Sequence, residues 1–168
     1  MENIIAIDLK KNKVVKAFAG LRFNYKPLKI NSNDFSDPIK FISFLNKKIF
    51  LKYIYIADLD SISCYSPNYN LIIKILKTFP KVTFVIDCGF EYPISVNNFS
   101  KTLKKISIYN FKIILGTEKI KKFSLRSFFL NSENIISLDF NGKELYWIKK
   151  IRLLNIKPIL IFMFLKNV

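Results

Sequence analysis

Short apolar, β-branched runs recur along this chain with amphipathic stretches between them, and that alternation limits the fold more than any other feature. It is the pattern of repeated βα units around a parallel sheet. Strands are expected at residues 4–7, 53–57, 82–86, 112–115, 135–138 and 158–162, most of them bounded by polar or turn residues, as buried parallel strands should be. Asp37-Pro38 signals a helix start, with Pro at the first helical position opening residues 39–47. Further helices are expected at 68–78, at 97–106, where Phe99, Leu103 and Ile106 share a face, and at 142–154, where Leu145, Ile148 and Ile151 do so. Residues 124–130 supply only a short helix. Residues 8–36 break the βα rhythm: 13–18 reads as an extra strand and 24–36 as a long polar loop. With no linker-like tract or composition shift, residues 1–168 read as one domain.

Six strands with right-handed crossovers suit two architectures, an open doubly wound sheet and an incomplete (β/α)8 barrel. In both, the C-terminal edge of the sheet carries the site. Acidic residues and glycines stand at nearly every strand end: Asp8, then Asp58 and Asp60, Asp87-Cys88-Gly89, Gly116-Thr117-Glu118 and Asp139. If the sheet closes into a barrel, Asp8 and Asp139 lie across its mouth from each other, an arrangement for a general acid and a general base. The alternative for an Asp after a strand is helix capping. Gly89 and Gly116-Thr117 permit close backbone approach and offer amides to an anion such as a phosphoester, although βα turns also use glycine for steric reasons.

The chemistry available is narrow. There is no histidine among the 168 residues, which excludes Ser-His-Asp and Cys-His catalysis, His-ligated zinc and the HExxH helix. Two cysteines, Cys64 and Cys88, lack CxxC spacing, so neither a metal site, a disulfide framework nor a redox centre is expected. No secretory signal is evident at the N-terminus. The longest apolar stretch, 158–165, is far short of the roughly 20 residues that span a bilayer. A cytoplasmic protein without a membrane partner is the expectation. The net charge is +16, yet the lysines fall singly or in pairs along the chain. They read as solvated helix faces enlarged by codon bias, not as a nucleic-acid surface, though a basic RNA-binding module is the rival reading.

Five motifs in register carry a family resemblance. Residues 3–16 (NIIAIDLKKNKVVK) resemble the opening of the ribotide isomerase family of histidine biosynthesis, and Ser137-Leu-Asp-Phe140 resembles its fifth strand. Ser36-Asp-Pro-Ile39, Ile56-Ala-Asp-Leu-Asp60 and Leu115-Gly-Thr117 fall between them in the family's order. The resemblance implies a (β/α)8 TIM barrel of the ribulose-phosphate-binding type and an aldose-to-ketose rearrangement of a phosphoribosylamine, without metal or organic cofactor. It implies Asp8 as base and Asp139 as acid, with Gly89, Gly116, Thr117, Asp58, Asp60 and Asp87 around a phosphorylated substrate. Asp87-Cys88-Gly89-Phe90-Glu91 departs from the family's glycine-rich turn ending in arginine. The stretches RFNYKP (22–27), ADLDSI and VIDCGF are similar to an isomerase-related subgroup of one-carbon-metabolising microbes, tied to methanopterin- or methanofuran-type cofactors, which makes a non-catalytic relative the alternative reading. Because a complete barrel takes at least about 200 residues, the chain is expected to hold about six of its strands. The second phosphate seat then lies outside it, and three explanations stay open: a truncated reading of a longer gene, a degenerating gene, or a part completed by a second chain or oligomer that covers the open edges of strands one and six.

Overall fold

The computed structural model describes residues 4–18, 20–64, 66–117, 119, 134–141, 144–145 and 161–166. Its elements run β1 (Ile4–Lys10), β2 (Lys13–Lys16), β3 (Lys26–Pro27), β4 (Lys29–Ile30), β5 (Asn33–Asp34), α1 (Pro38–Lys48), β6 (Tyr53–Asp58), α2 (Leu59–Cys64) and α3 (Tyr69–Thr78). They continue with β7 (Thr83–Asp87), α4 (Pro93–Lys105), β8 (Phe111–Gly116), β9 (Asn134–Asn141), β10 (Glu144–Leu145) and β11 (Ile161–Lys166). No helix among the described residues is long and apolar enough to cross a membrane.

The strand order separates the two candidate architectures. The parallel strands lie as β1-β6-β7-β8-β9-β11, each beside its successor in the chain. A doubly wound sheet reverses its order at a switch point; this sheet does not, so successive crossovers wind one way, as in a barrel. Strand alternation then sorts the side chains into an outer and an inner layer. Ile7, Leu9, Ile54, Ile56, Phe84, Ile86, Ile113 and Leu115 join the outer core, where α1 contributes Phe41 and Ile42, α3 Ile72, Ile75 and Leu76, and α4 Val96, Phe99 and Leu103. The inner face carries Val85, Ile114 and Ile135 packed with Tyr55.

Local chemistry explains the helix starts. Asp37 caps α1 by accepting the Lys40 N–H at 2.8 Å, with Pro38 in the first turn. Pro93 likewise occupies the first turn of α4, without a side-chain cap from Tyr92, four residues ahead of the expected start at Asn97. Three other expectations are corrected. The region 24–36 is not a plain loop: β3 extends the β1–β2 hairpin and β4 pairs with β5. The edge of β1 is not open over its C-terminal half, because Asp8, Leu9 and Lys10 pair with Val15, Val14 and Lys13 of β2. Within the expected helix 142–154, Glu144 and Leu145 instead pair antiparallel with β9; the rest of that segment, like 124–130, lies outside the described residues.

Candidate functional site

Both β1 and β6 run past the expected ends, and one residue of extra strand decides where each acid points. Asp8 is register-paired with Ala57, and Ala57 with Asp87, so one row on the inner face reads Asp8–Ala57–Asp87. Asp58 is paired with Leu9, a residue of the outer core, and therefore belongs to the opposite layer.

Asp8 is half-buried beside the hairpin, and burial raises its carboxyl above the ordinary value despite the nearby Arg22 guanidinium, which lowers it. A short helical turn holds Arg22 there, its carbonyl accepting from Lys10 Nζ at 2.6 Å. Across the small Ala57, Asp87 accepts from the Tyr55 hydroxyl at 3.0 Å and from the Gly89 N–H at 2.9 Å. Tyr25 and Tyr55 pack beside Val15, Ala57, Leu59 and Ile62 in the same region. Two carboxylates on one inner row, separated by a methyl group and flanked by Arg22 and Tyr55, form the candidate site. Such a pair can take and give protons on a ligand placed over Ala57.

The other expected site residues are engaged in architecture. Asp58 is fully buried and accepts from Asn68 N at 2.8 Å, Asn68 Nδ2 at 2.6 Å and Ser61 N at 3.3 Å. It thereby fixes the turns from β6 through α2 into α3, while its burial outweighs these bonds and raises its carboxyl. Asp60 accepts from Asn68 Nδ2 at 3.0 Å and from the Lys11 N–H, tying the β1–β2 turn to the start of α3. Gly89 has φ +63°, and a Cβ there would stand 2.9 Å from Ile62 Cα, so glycine is required for packing and its amide is spent on Asp87. Gly116 is paired with Ser137 of β9, and the buried Thr117 spends its N–H on the Ser137 carbonyl at 2.9 Å. The Cys88 thiol is buried, and burial pushes it well above its ordinary value, in keeping with an inert packing role. Among the described residues no cluster of acidic or cysteine side chains is gathered to hold a metal ion.

Sequence reasoning passed over Arg22, Tyr55 and Asn68. Tyr55 carried a signal: a tyrosine inside a buried parallel strand needs a partner for its hydroxyl. Asn68 carried none, since its role depends on which way Asp58 points.

The model of the family described as Histidine biosynthesis protein matches residues 3–156. The chain belongs to that family. No curated protein matches the chain significantly. As members of the histidine biosynthesis family are TIM barrels, β1, β6, β7, β8 and β9, all within the matched residues, correspond to consecutive barrel strands, with β11 a further parallel strand beside β9; in this fold sites form at the C-terminal ends of the strands. The Asp8–Ala57–Asp87 row stands at that edge.

Proposed function

We propose that this chain carries the strand-one and strand-five chemistry of a sugar-phosphate isomerase that converts a phosphoribosylamine aldose to its ketose by acid–base catalysis, with Asp8 and Asp139 in the proton-transfer roles. The observation that supports it is the register walk around the sheet. Ile7, Ile56, Ile86, Ile113 and Asn134 form one continuous hydrogen-bonded row, so the row above it starts at Asp8 and ends at Ile135. A TIM barrel has a shear of about eight residues over eight strands, or about one per strand. Four strand steps from β1 to β9 therefore bring the height of Asp8 to a position four residues beyond Ile135, which is Asp139. Strand alternation gives position 139 the same face as 135.

In this reading Asp139 gives a proton to the ring oxygen as the sugar's C–O bond breaks and the nitrogen lone pair forms C=N; Asp8 then removes the proton from the carbon next to the aminated one, and the enaminol so formed gains a proton at the aminated carbon as its hydroxyl loses one, leaving the ketose. A carboxylate base works better when its pKa is raised toward the working pH, the direction in which burial moves Asp8. With the Gly89 and Thr117 N–H groups spent inside the protein, Arg22 is the better candidate for the substrate phosphate, because a guanidinium meets phosphate oxygens in pairs. Asp8→Asn and Asp139→Asn should each lower turnover by about 100- to 10,000-fold in a protein that still folds. Undiminished turnover in either variant removes that residue from the mechanism.

A second reading draws on Asp87 and Glu91, which stand where the family's turn is glycine-rich and ends in arginine. A strand-three end with a carboxylate held by Tyr55 suits a relative of one-carbon cofactor metabolism with a changed or lost reaction. It predicts that a phosphosugar raises the melting temperature while no product forms.

A further inference from the structure

Opposite the catalytic edge, the fold gathers what the sequence scatters. The turns at 46–52, 78–82 and 106–110 lead into β6, β7 and β8 and so lie side by side on the N-terminal face of the sheet. The first two enclose an open cleft of about 710 Å3, rimmed by Lys47, Lys48 and Lys81 and including Ile49 and Phe50. No carboxylate occurs in any of the three turns, whereas Asp8, Asp58, Asp60 and Asp87 all stand at the other end of the strands. Phe50 is 92% exposed and Tyr109, in the third turn, 68%.

Helix capping accounts for part of this, since Lys47 and Lys48 close the last turn of α1, where cations are favoured. It does not account for Lys81, or for two aromatic side chains held in water. Nor is Tyr109 on a loose loop: the neighbouring Asn110 donates through Nδ2 to the carbonyls of Leu76, Phe79 and Val82 at 3.0–3.1 Å, pinning the third turn to the second. Phe50, Lys81 and Tyr109 therefore stand just ahead of three adjacent strands, which in a sheet are about 4.8 Å apart. Aromatic platforms alternating with cations are the means by which proteins hold single-stranded nucleic acid, bases stacking on the rings and phosphates meeting the lysines.

We propose that this N-terminal face binds single-stranded RNA, with Phe50 and Tyr109 as stacking platforms and Lys47, Lys48 and Lys81 as phosphate contacts. The test is fluorescence anisotropy of a labelled oligouridylate 20-mer with the whole chain, titrated across salt. Phe50→Ala should weaken binding roughly 5- to 150-fold, the range that loss of one stacked base implies. The pair Lys48→Gln/Lys81→Gln should reduce the slope of log affinity against log salt by about 1.4, at about 0.7 per phosphate contact on a single strand. Lys13→Gln/Lys16→Gln, on β2 at the far side of the sheet, is the control; both residues are exposed, and circular dichroism checks that every variant folds. An equal loss in the control reduces the effect to diffuse charge and overturns the proposal. So does duplex RNA binding as tightly as single strands, or binding of polyglutamate or anionic vesicles that depends on Phe50 while the oligonucleotide shows none.

Discussion

Replacing Asp58 tests whether that carboxylate is architecture or substrate contact. Its three donors are Asn68 N, Asn68 Nδ2 and Ser61 N, and Asn68 Nδ2 keeps a second partner in Asp60. Asp58→Ala therefore removes the acceptor of two buried backbone N–H groups, at about 1–3 kcal/mol each. Relief of the cost of burying a carboxylate offsets part of this, so the expected loss is about 2–5 kcal/mol, a large share of a typical stability of about 5–15 kcal/mol. Asp58→Asn keeps one acceptor oxygen but turns an amide toward the Asn68 N–H, and should lose about 1–3 kcal/mol. Urea unfolding of the three proteins measures the series, and isothermal titration with a phosphosugar measures the site. The expected result is a graded loss of stability with unchanged ligand affinity in the protein that remains folded. A stable Asp58→Asn that no longer binds ligand refutes the reasoning and returns Asp58 to the site.

Gly89→Ala should destabilise by about 2–5 kcal/mol, combining about 1–2 for a left-handed non-glycine backbone with about 1–3 for the Cβ driven against Ile62; thermal melting measures it, and a neutral substitution would mean that the turn from β7 into α4 relaxes freely. Asp8 gives a pH prediction of definite sign. Its folded pKa lies above the unfolded one, so its contribution to stability is fully present below the unfolded value and is lost as pH rises through the folded one. Relative to the wild type, Asp8→Asn should therefore gain stability from about pH 4 upward, and urea titrations that stay parallel across that range would contradict it.

How much of this was legible in the sequence depended on whether a signal was local. The start of α1 was readable because Asp37 and Pro38 act on their own helix. The start of α4 at Pro93 lies four residues ahead of the expected one, because the apolar spacing of Phe99, Leu103 and Ile106 marks the helix face and not its first turn. The facing of Asp8 and Asp58 hangs on strand ends: the apolar run predicts that β6 ends at 57, the strand ends at 58, and that residue puts Asp58 into the ladder opposite Leu9, facing the helices. Asp8 likewise lies inside β1 and not after it, which directs it to the inner face with Asp87. Periodicity finds a strand but cannot fix its last residue, and facing alternates with every residue. The lysines and aromatics of the three N-terminal turns lie dozens of residues apart, so only strand order could bring them together.

The proposed pairing of Asp8 with Asp139 rests on curvature, and curvature has a measurable consequence. In a flat sheet, four strand spacings of about 4.8 Å and four residues at about 3.3 Å place the two Cα positions about 23 Å apart. Closing eight strands at a tilt of about 36° gives a circumference of about 47 Å and a diameter of about 15 Å, so strands one and five face each other at that distance. Nitroxide labels on Asp8→Cys and Asp139→Cys, with Cys64 and Cys88 replaced by serine, read this difference by dipolar broadening. A separation near 15 Å places one small substrate within reach of both positions. A separation near 23 Å leaves no sugar able to bridge them, and acid–base chemistry at this edge would then fall to Asp8 and Asp87, which share a row whatever the curvature.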